Sequence, residues 1–224
     1  RLAGGRLVGM VSIRSPESRP GADDQLEIQT ENVQMTPQRI VAPNQIQFTY
    51  GRNSGSGSDL IITMDPPPNA TRPGKEDQFQ VGAFRSLELV HVDRILLQLD
   101  NPKVPGREKD KPDRSPSPTH MQVTVTCQGP FRYDFPSRTA SFEDRVRAIR
   151  ANAEGPDDQL TCNRLSAYFS GAESSEDEAG ADDISRRVGL SGSKVQRIEA
   201  TGSPVVVDAP TYSAAARAER LEYN

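Results

Sequence analysis

The chain has 224 residues, of which 34% are hydrophobic and only 5% aromatic, with no tryptophan, and it carries a net charge of −4. That balance gives no electrostatic footprint for nucleic acid, and no apolar run approaches the ~20 residues of a membrane-spanning helix. So thin an apolar supply suits one extended sheet layer, or a shallow sandwich, better than a doubly wound α/β core.

In chain order the apolar residues alternate rather than recur at helical spacing. Ile46, Phe48 and Tyr50 share one face of an extended segment, and Leu60, Ile62 and Met64 share a face of the next. Leu87 and Leu89 follow, then Ile95, Leu97 and Leu99, then Met121, Val123, Val125 and Cys127. Phe131, Tyr133 and Phe135 repeat the pattern, and Val205 and Val207 begin the last one. Period two over this many segments predicts half-buried antiparallel strands and an all-β fold. The segments divide into an N-terminal unit over 1–100 and repeats over 121–224, read as one continuous sheet.

Three stretches between the strands cannot pack: "DPPPNATRPGKEDQ" (65–78), "NPKVPGREKDKPDRSPSPTH" (101–120) and "SGAESSEDEAGADD" (170–183). Pro-rich, charged or acidic, they lack the apolar side chains that would offset chain ordering, which predicts exposed, mobile loops. The acidic stretch lacks the D-x-[DN]-x-[DN]-G order of a calcium loop. "NAT" at 69–71 is a glycosylation sequon, meaningful only in a eukaryotic secretory host. Residues 184–189 ("ISRRVG") could make one helical turn.

Few residues invite chemistry. "GRNSGSGSD" has neither the G-x-G-x-x-G spacing nor a P-loop lysine, so 51–58 reads as a hairpin turn. His91 and Asp93 share a strand face near Ser86, but no G-x-S-x-G is present, and an edge-strand histidine is the simpler reading. His120 ends a loop and reads as solvated. Arg145, Arg147 and Arg150 could present guanidinium groups to phosphates or simply solvate an outer face. Cys127 and Cys162 allow one disulfide or two buried thiols, and neither has a Cys or His at metal-ligand spacing. No cofactor is implied.

One pattern recurs: an apolar residue, Ala or Cys two later, an aliphatic three or four on, then an aromatic. It runs through Ile40, Ala42, Ile46 and Phe48; through Leu160, Cys162, Leu165 and Tyr168; and through Ala216, Ala218, Leu221 and Tyr223. A spacing of three flips a side chain to the other face unless the strand bends between. Bends are therefore expected between Cys162 and Leu165 and between Ala218 and Leu221, in stacked rungs that bury themselves against their neighbours. The start at Arg1 and the close on an alternation with no turn after it predict a piece of a longer protein, so targeting signals are not readable.

"VQRIEATGSPVVVDAPTYSAAARAERLEYN" (195–224) resembles the OstA-like repeats of the lipopolysaccharide-transport proteins. Those repeats run from an aliphatic–Ala–x–Gly stretch through a valine-rich strand to a small–charged–charged–aliphatic–x–Tyr ending. Ile198, Ala200, Gly202, Val205, Val207, Ala218, Leu221 and Tyr223 fall on that pattern. "LEIQTENVQMTPQRIVAPNQIQFTYGRNSGSGSDL" (26–60) is similar to the periplasmic module of the inner-membrane-anchored component, and 133–169 would be a further unit. The long Pro-rich and acidic insertions depart from the family's compact modules. The resemblance implies a single-layer, folded-over antiparallel sheet, V-shaped in section like a jellyroll, with an apolar interior for acyl chains. It also implies modules joined edge to edge with other envelope transport components, a periplasmic location, and any membrane anchor in a segment outside these residues.

The set Ile46, Phe48, Leu60, Ile62, Leu87, Leu89, Val123, Val125, Phe131, Phe135, Val205, Val207, Leu221 and Tyr223 is either a plain sandwich core or the lining of a trough. Nothing in the sequence supplies a covering layer of helix, so an open trough that holds something apolar is expected. The resemblance turns that toward non-enzymatic binding and transport of lipopolysaccharide or a similar lipid, with energy supplied by a partner ATPase. The alternatives are a structural or protein-interaction scaffold of the envelope and, more distantly, a β-solenoid carbohydrate enzyme, for which no carboxylate pair stands out.

Overall fold

A computed structural model describes residues 4–14, 25–66, 84–100, 120–152, 155–169 and 195–224. The readings placed on 67–78, 101–119, 170–183 and 184–189 lie outside them. Wherever the chain is described, alternation becomes strand: β1 (Gly5–Arg14), β2 (Leu26–Thr36), β3 (Arg39–Tyr50), β4 (Asn53–Met64), β5 (Phe84–Asp100), β6 (His120–Thr126), β7 (Phe131–Asp134), β8 (Thr139–Arg150), β9 (Asp158–Phe169), β10 (Val195–Ala209) and β11 (Ala214–Tyr223). One turn of 3₁₀ helix, Pro210–Tyr212, joins the last two, and no α-helix lies among the described residues. The fold is all-β.

All eleven strands belong to one antiparallel sheet, in the order β1-β2-β3-β4-β5-β6-β8-β9-β10-β11. β7 pairs with β5 and β8. β6 and β7 are two pieces of one rung: Ile95 faces Val125 and Leu89 faces Phe131 in a single register, and only 127–130 ("CQGP") interrupts the ladder. A meander of this kind needs only short connections.

Almost every strand is broken near its middle. The register slips between Leu7 and Met10 in β1, between Gln29 and Gln34 in β2, and between Ala42 and Gln45 in β3. It slips again between Glu143 and Val146 in β8 and between Thr201 and Val205 in β10. These irregularities line up across the sheet as a crease. The expected bends fall on it: Asn163 lies between the two registers of β9, and Glu219 between those of β11.

Local chemistry explains why the chain bends there. Gly9, Asn32, Asp59, Asp144 and Arg145 all have positive φ (87°, 57°, 60°, 59° and 48°). Asn, Asp and Gly tolerate that conformation best, because a short polar side chain or none at all relieves the clash. The backbone groups freed by the bulges find partners. Thr30 Oγ1 donates to Gln45 O at 3.2 Å, Asn32 Oδ1 accepts from Gly9 N, and the N–H groups of Gln128 and Gly129 donate to Asp144 O and Glu143 O. An unpaired buried amide would cost about 1–3 kcal/mol, so the crease is a built feature.

The crease divides each strand between two arms, and inward residues form rows that cross the whole sheet. In the first arm one row runs Ala42, Leu60, Leu89, Phe131, Phe142, Leu165, Ala200, Leu221, each facing the next across a strand pair. In the second arm another runs Ile28, Phe48, Gly55, Ile95, Val125, Ala148, Leu160, Val207, Ala216. Leu89, Val125, Val33, Ala42 and Ala200 are fully buried. No second sheet or α-helix among the described residues covers them, so the arms pack on each other. Both core clusters mix the arms: Ile28 and Ile46 pack with Leu60 and Leu89, and Val125 and Val146 with Phe142 and Leu165. The outer face is polar, with Arg132 paired to Glu88 and Glu143, and Arg220 to Glu199.

The crease residues make the first test. Asp144 is exposed at φ 59°, so Asp144→Gly is expected to hold or raise stability, while the β-branched Asp144→Val should lower it by about 1–2 kcal/mol. Denaturant midpoints measure both; a valine variant as stable as the parent would show that the left-handed conformation is not required.

Candidate functional site

The interior between the arms is the largest feature the strands build. Most residues expected to line it do face it. Ile46, Leu60, Ile62, Leu89, Val125 and Val205 are buried in the two clusters. Phe48, Leu87, Val123, Phe131 and Leu221 pack against those clusters while half-buried. Phe135 stacks on Phe84 and Tyr133, with centroids 5.8 and 4.9 Å away. Val207 lies in the second-arm row, half-buried between Leu160 and Ala216. Tyr223 faces Ile198 at the outermost strand and stays 60% exposed.

The interior is not open along its length, contrary to the trough read from the sequence. Its middle is packed shut, because the arms lean together until their inward rows touch. Phe48 contacts both clusters, and its ring lies over Gly55, where an added Cβ would sit 2.5 Å from Phe48 Cε1 and Cζ. A Cβ on Gly57 would collide with the His91 carbonyl and approach Leu89 Cδ2 to 2.7 Å. The glycines therefore serve close packing within a strand, which corrects the reading of 51–58 as a turn. Only Gly51 and Arg52 turn, with Gly51 at φ 54°, and Asn53 already pairs with Tyr50.

Among the described residues, nothing covers the interior at its two ends. β1 and β11 each pair on one side only, yet the inward rows continue onto them. Leu7, facing Val33, is 46% exposed, and Ala214, Ala216 and Ala218 on β11 are all exposed. The apolar face outlasts its own cover.

Several residues missing from the expected lining belong to it: Ile28, Val33, Ile40, Phe142, Val146 and the two cysteines. Phe142 and Val146 sit in the charged run "FEDRVR", four apart across the Asp144–Arg145 bulge, and that bulge hides their common face. Cys127 and Cys162 are free and buried; burial pushes each thiol up to about 11.

The polar candidates scatter. His91 Nδ1 lies 3.0 Å from Asp59 Oδ2, whereas Asp93 accepts from Gln45 Nε2 at 2.5 Å, and Ser86 is in the first arm facing Thr63 and Asp134. They share no reacting center. The three arginines do not form one row either: Arg147 points outward to Gln159 at 2.8 Å, while Arg150 takes the inward phase of Val146 and Ala148 and meets Asp158 and Tyr212. No group of three or more His, Cys, Asp or Glu suited to a metal occurs among the described residues. No family model matches the chain, and no curated protein or solved structure shows a significant match to it.

The two thiols report on the closed interior. With pKa values near 11, their thiolate fraction below pH 9 should be about 100-fold lower than that of an unperturbed thiol. Thiol–disulfide reagents should react slowly at pH 8, accelerate toward pH 11, and react at once in denaturant. Rapid modification of both cysteines in the native protein at pH 8 would show that the middle is open.

Proposed function

We propose that this protein is a non-enzymatic carrier module whose apolar interior takes up the acyl chains of a lipid, lipopolysaccharide or a similar amphiphile, in the periplasm. The observation that carries the reading is the continuity of the inward rows. The row through Val125 runs from β2 to β11 and the row through Leu89 from β3 to β11, neither with an inward charge, and among the described residues nothing covers their ends. Val11 and Ile13 on β1 and Leu221 on β11 still pack on the core, but Leu7 and the alanines of β11 meet water, where a core that only held the fold together would gain little from them. A channel passed from one module to the next would need them.

In this reading the acyl chains run across the strands between the arms, head groups stay outside, and no bond is made or broken. Entry requires the arms to part, which bending at the crease allows without breaking the ladders on either side. The exposed edges of β1 and β11 then serve to continue the sheet with another envelope component, since unpaired strand edges recruit strands. The resemblance of 195–224 to the OstA-like repeats points the same way.

A photo-crosslinking amino acid at Phe48, inward and touching both clusters, is expected to trap lipopolysaccharide or phospholipid, while the same group at the exposed, outward Gln47 should not. Absence of lipid adducts from Phe48 would leave a protein-interaction scaffold as the better reading. Edge pairing is tested separately by Ala216→Lys, which puts a charge on the inner face of the exposed β11. Folding stability should stay within about 0.5 kcal/mol, and any oligomer seen by sedimentation should dissociate. An oligomer that survives the substitution is not built on β11.

A further inference from the structure

The second arm is not apolar to its tip. Beyond Val125 and Ala148 the inward rows end in Val123, Arg150 and Asp158, each facing the next. Arg150 Nη2 donates to Asp158 Oδ2, and Arg150 Nη1 donates to Tyr212 Oη at 2.9 Å. The other carboxylate oxygen, Asp158 Oδ1, accepts from Thr211 N at 3.0 Å, and Asn152 Nδ2 donates to Thr211 Oγ1 at 3.2 Å. The Tyr212 ring also lies 4.9 Å from the Arg150 guanidinium carbon.

Thr211 and Tyr212 belong to the 3₁₀ turn at the tip of the β10–β11 hairpin. The turn follows Ala209, one residue beyond the Asp208–Gln159 pair, so it stands beside the start of β9, and the Arg150–Tyr212 bond spans from β8 to it. Because Arg150 and Asp158 share the inward phase of Val146 and Cys162, the bonds that hold the turn lie on the inner side of the rim. It has no buried residue of its own, and Tyr212 is 66% exposed. Hydrogen bonds and the ring–guanidinium contact fasten it at this rim, and an element held in that way can open without disturbing the core beneath. Burial works against the charge of Asp158, yet the bonds from Thr211 and Arg150 outweigh it and hold the carboxyl below its usual range.

We propose that Pro210–Tyr212 is a latch over the second-arm rim of the interior, fastened by Arg150 and Asp158, and that its release sets how fast apolar molecules enter between β8 and β11. The role in uptake rests on the carrier reading; the latch itself does not.

The test uses Cys162, which lies on the inner face of β9 four residues from Asp158, in a Cys127→Ala background. Tyr212→Ala removes an exposed side chain, and Asp158→Asn removes the ion pair. Both are expected to speed maleimide labelling of Cys162 about tenfold with little change in thermal midpoint. If Asp158→Asn fails to fold, Tyr212→Ala still decides. Labelling at the parental rate in folded Tyr212→Ala protein overturns the latch. In parallel, the uptake rate of a pyrene-labelled long-chain fatty acid should rise by the same factor. Faster labelling with no probe bound by any variant keeps the latch and removes the carrier reading. Probe uptake at one rate in parent and variants, with unchanged labelling, keeps the carrier and removes the latch.

Discussion

One constraint shapes this molecule: a single sheet has to bury its own apolar face. A strand with period-two alternation presents one such face, and in most β proteins a second sheet or a helix covers it. Neither is found among the described residues. The face is hidden by bending almost every strand at about the same height, so that one half of the sheet covers the other. The positive-φ Asn and Asp residues, the glycines and the interrupted rung at 127–130 are consequences of that requirement. Without the crease, Leu89 and Val125, now fully buried, would stand on an open surface. Each buried side chain of that size is worth about 1.5–3 kcal/mol.

The same constraint explains the composition. A folded single layer has one narrow interior, and its rows need small residues where the arms come closest. Ala42, Ala148, Ala200, Gly55 and Gly57 occupy such places opposite larger partners. Phe48 faces Gly55, and Leu89 is the side chain a Cβ on Gly57 would meet. Few aromatic residues are then enough, and those present concentrate where β5, β7 and β8 meet, as with Phe131 on Phe142 at 4.9 Å.

The strands were legible because alternation is a local signal, and the bends between Cys162 and Leu165 and between Ala218 and Leu221 were legible because a spacing of three is incompatible with a straight strand. The inward face of "FEDRVR" was not. Its two apolar residues lie across a two-residue bulge whose φ angles depend on the neighboring strands, and charges surround them. The glycines of β4 misled for a related reason: glycine marks a turn or a close approach equally well, and only the position of Phe48 and Leu89 distinguishes the two. The lining residues were recognized by type, but whether the arms would meet over them is a tertiary fact. Arg150 was misread because counting by twos from Arg147 does not reach it, so it turns inward where a surface cation was expected.

A closed middle and uncovered ends are compatible with a carrier only if the resting interior fills itself. Side chains that touch across the crease take the place an acyl chain would take, so an empty module exposes little apolar surface to water and keeps its strands paired. The cost of opening then falls on contacts between the arms, which are apolar and nondirectional, and not on the ladders, which hold register. Apolar cargo would replace those contacts with others of the same kind, leaving a small net difference between the filled and empty states. Such a balance suits a molecule that must release what it binds. The proposed latch would then act where directional bonds join the packing among the described residues, at the Arg150–Asp158 end.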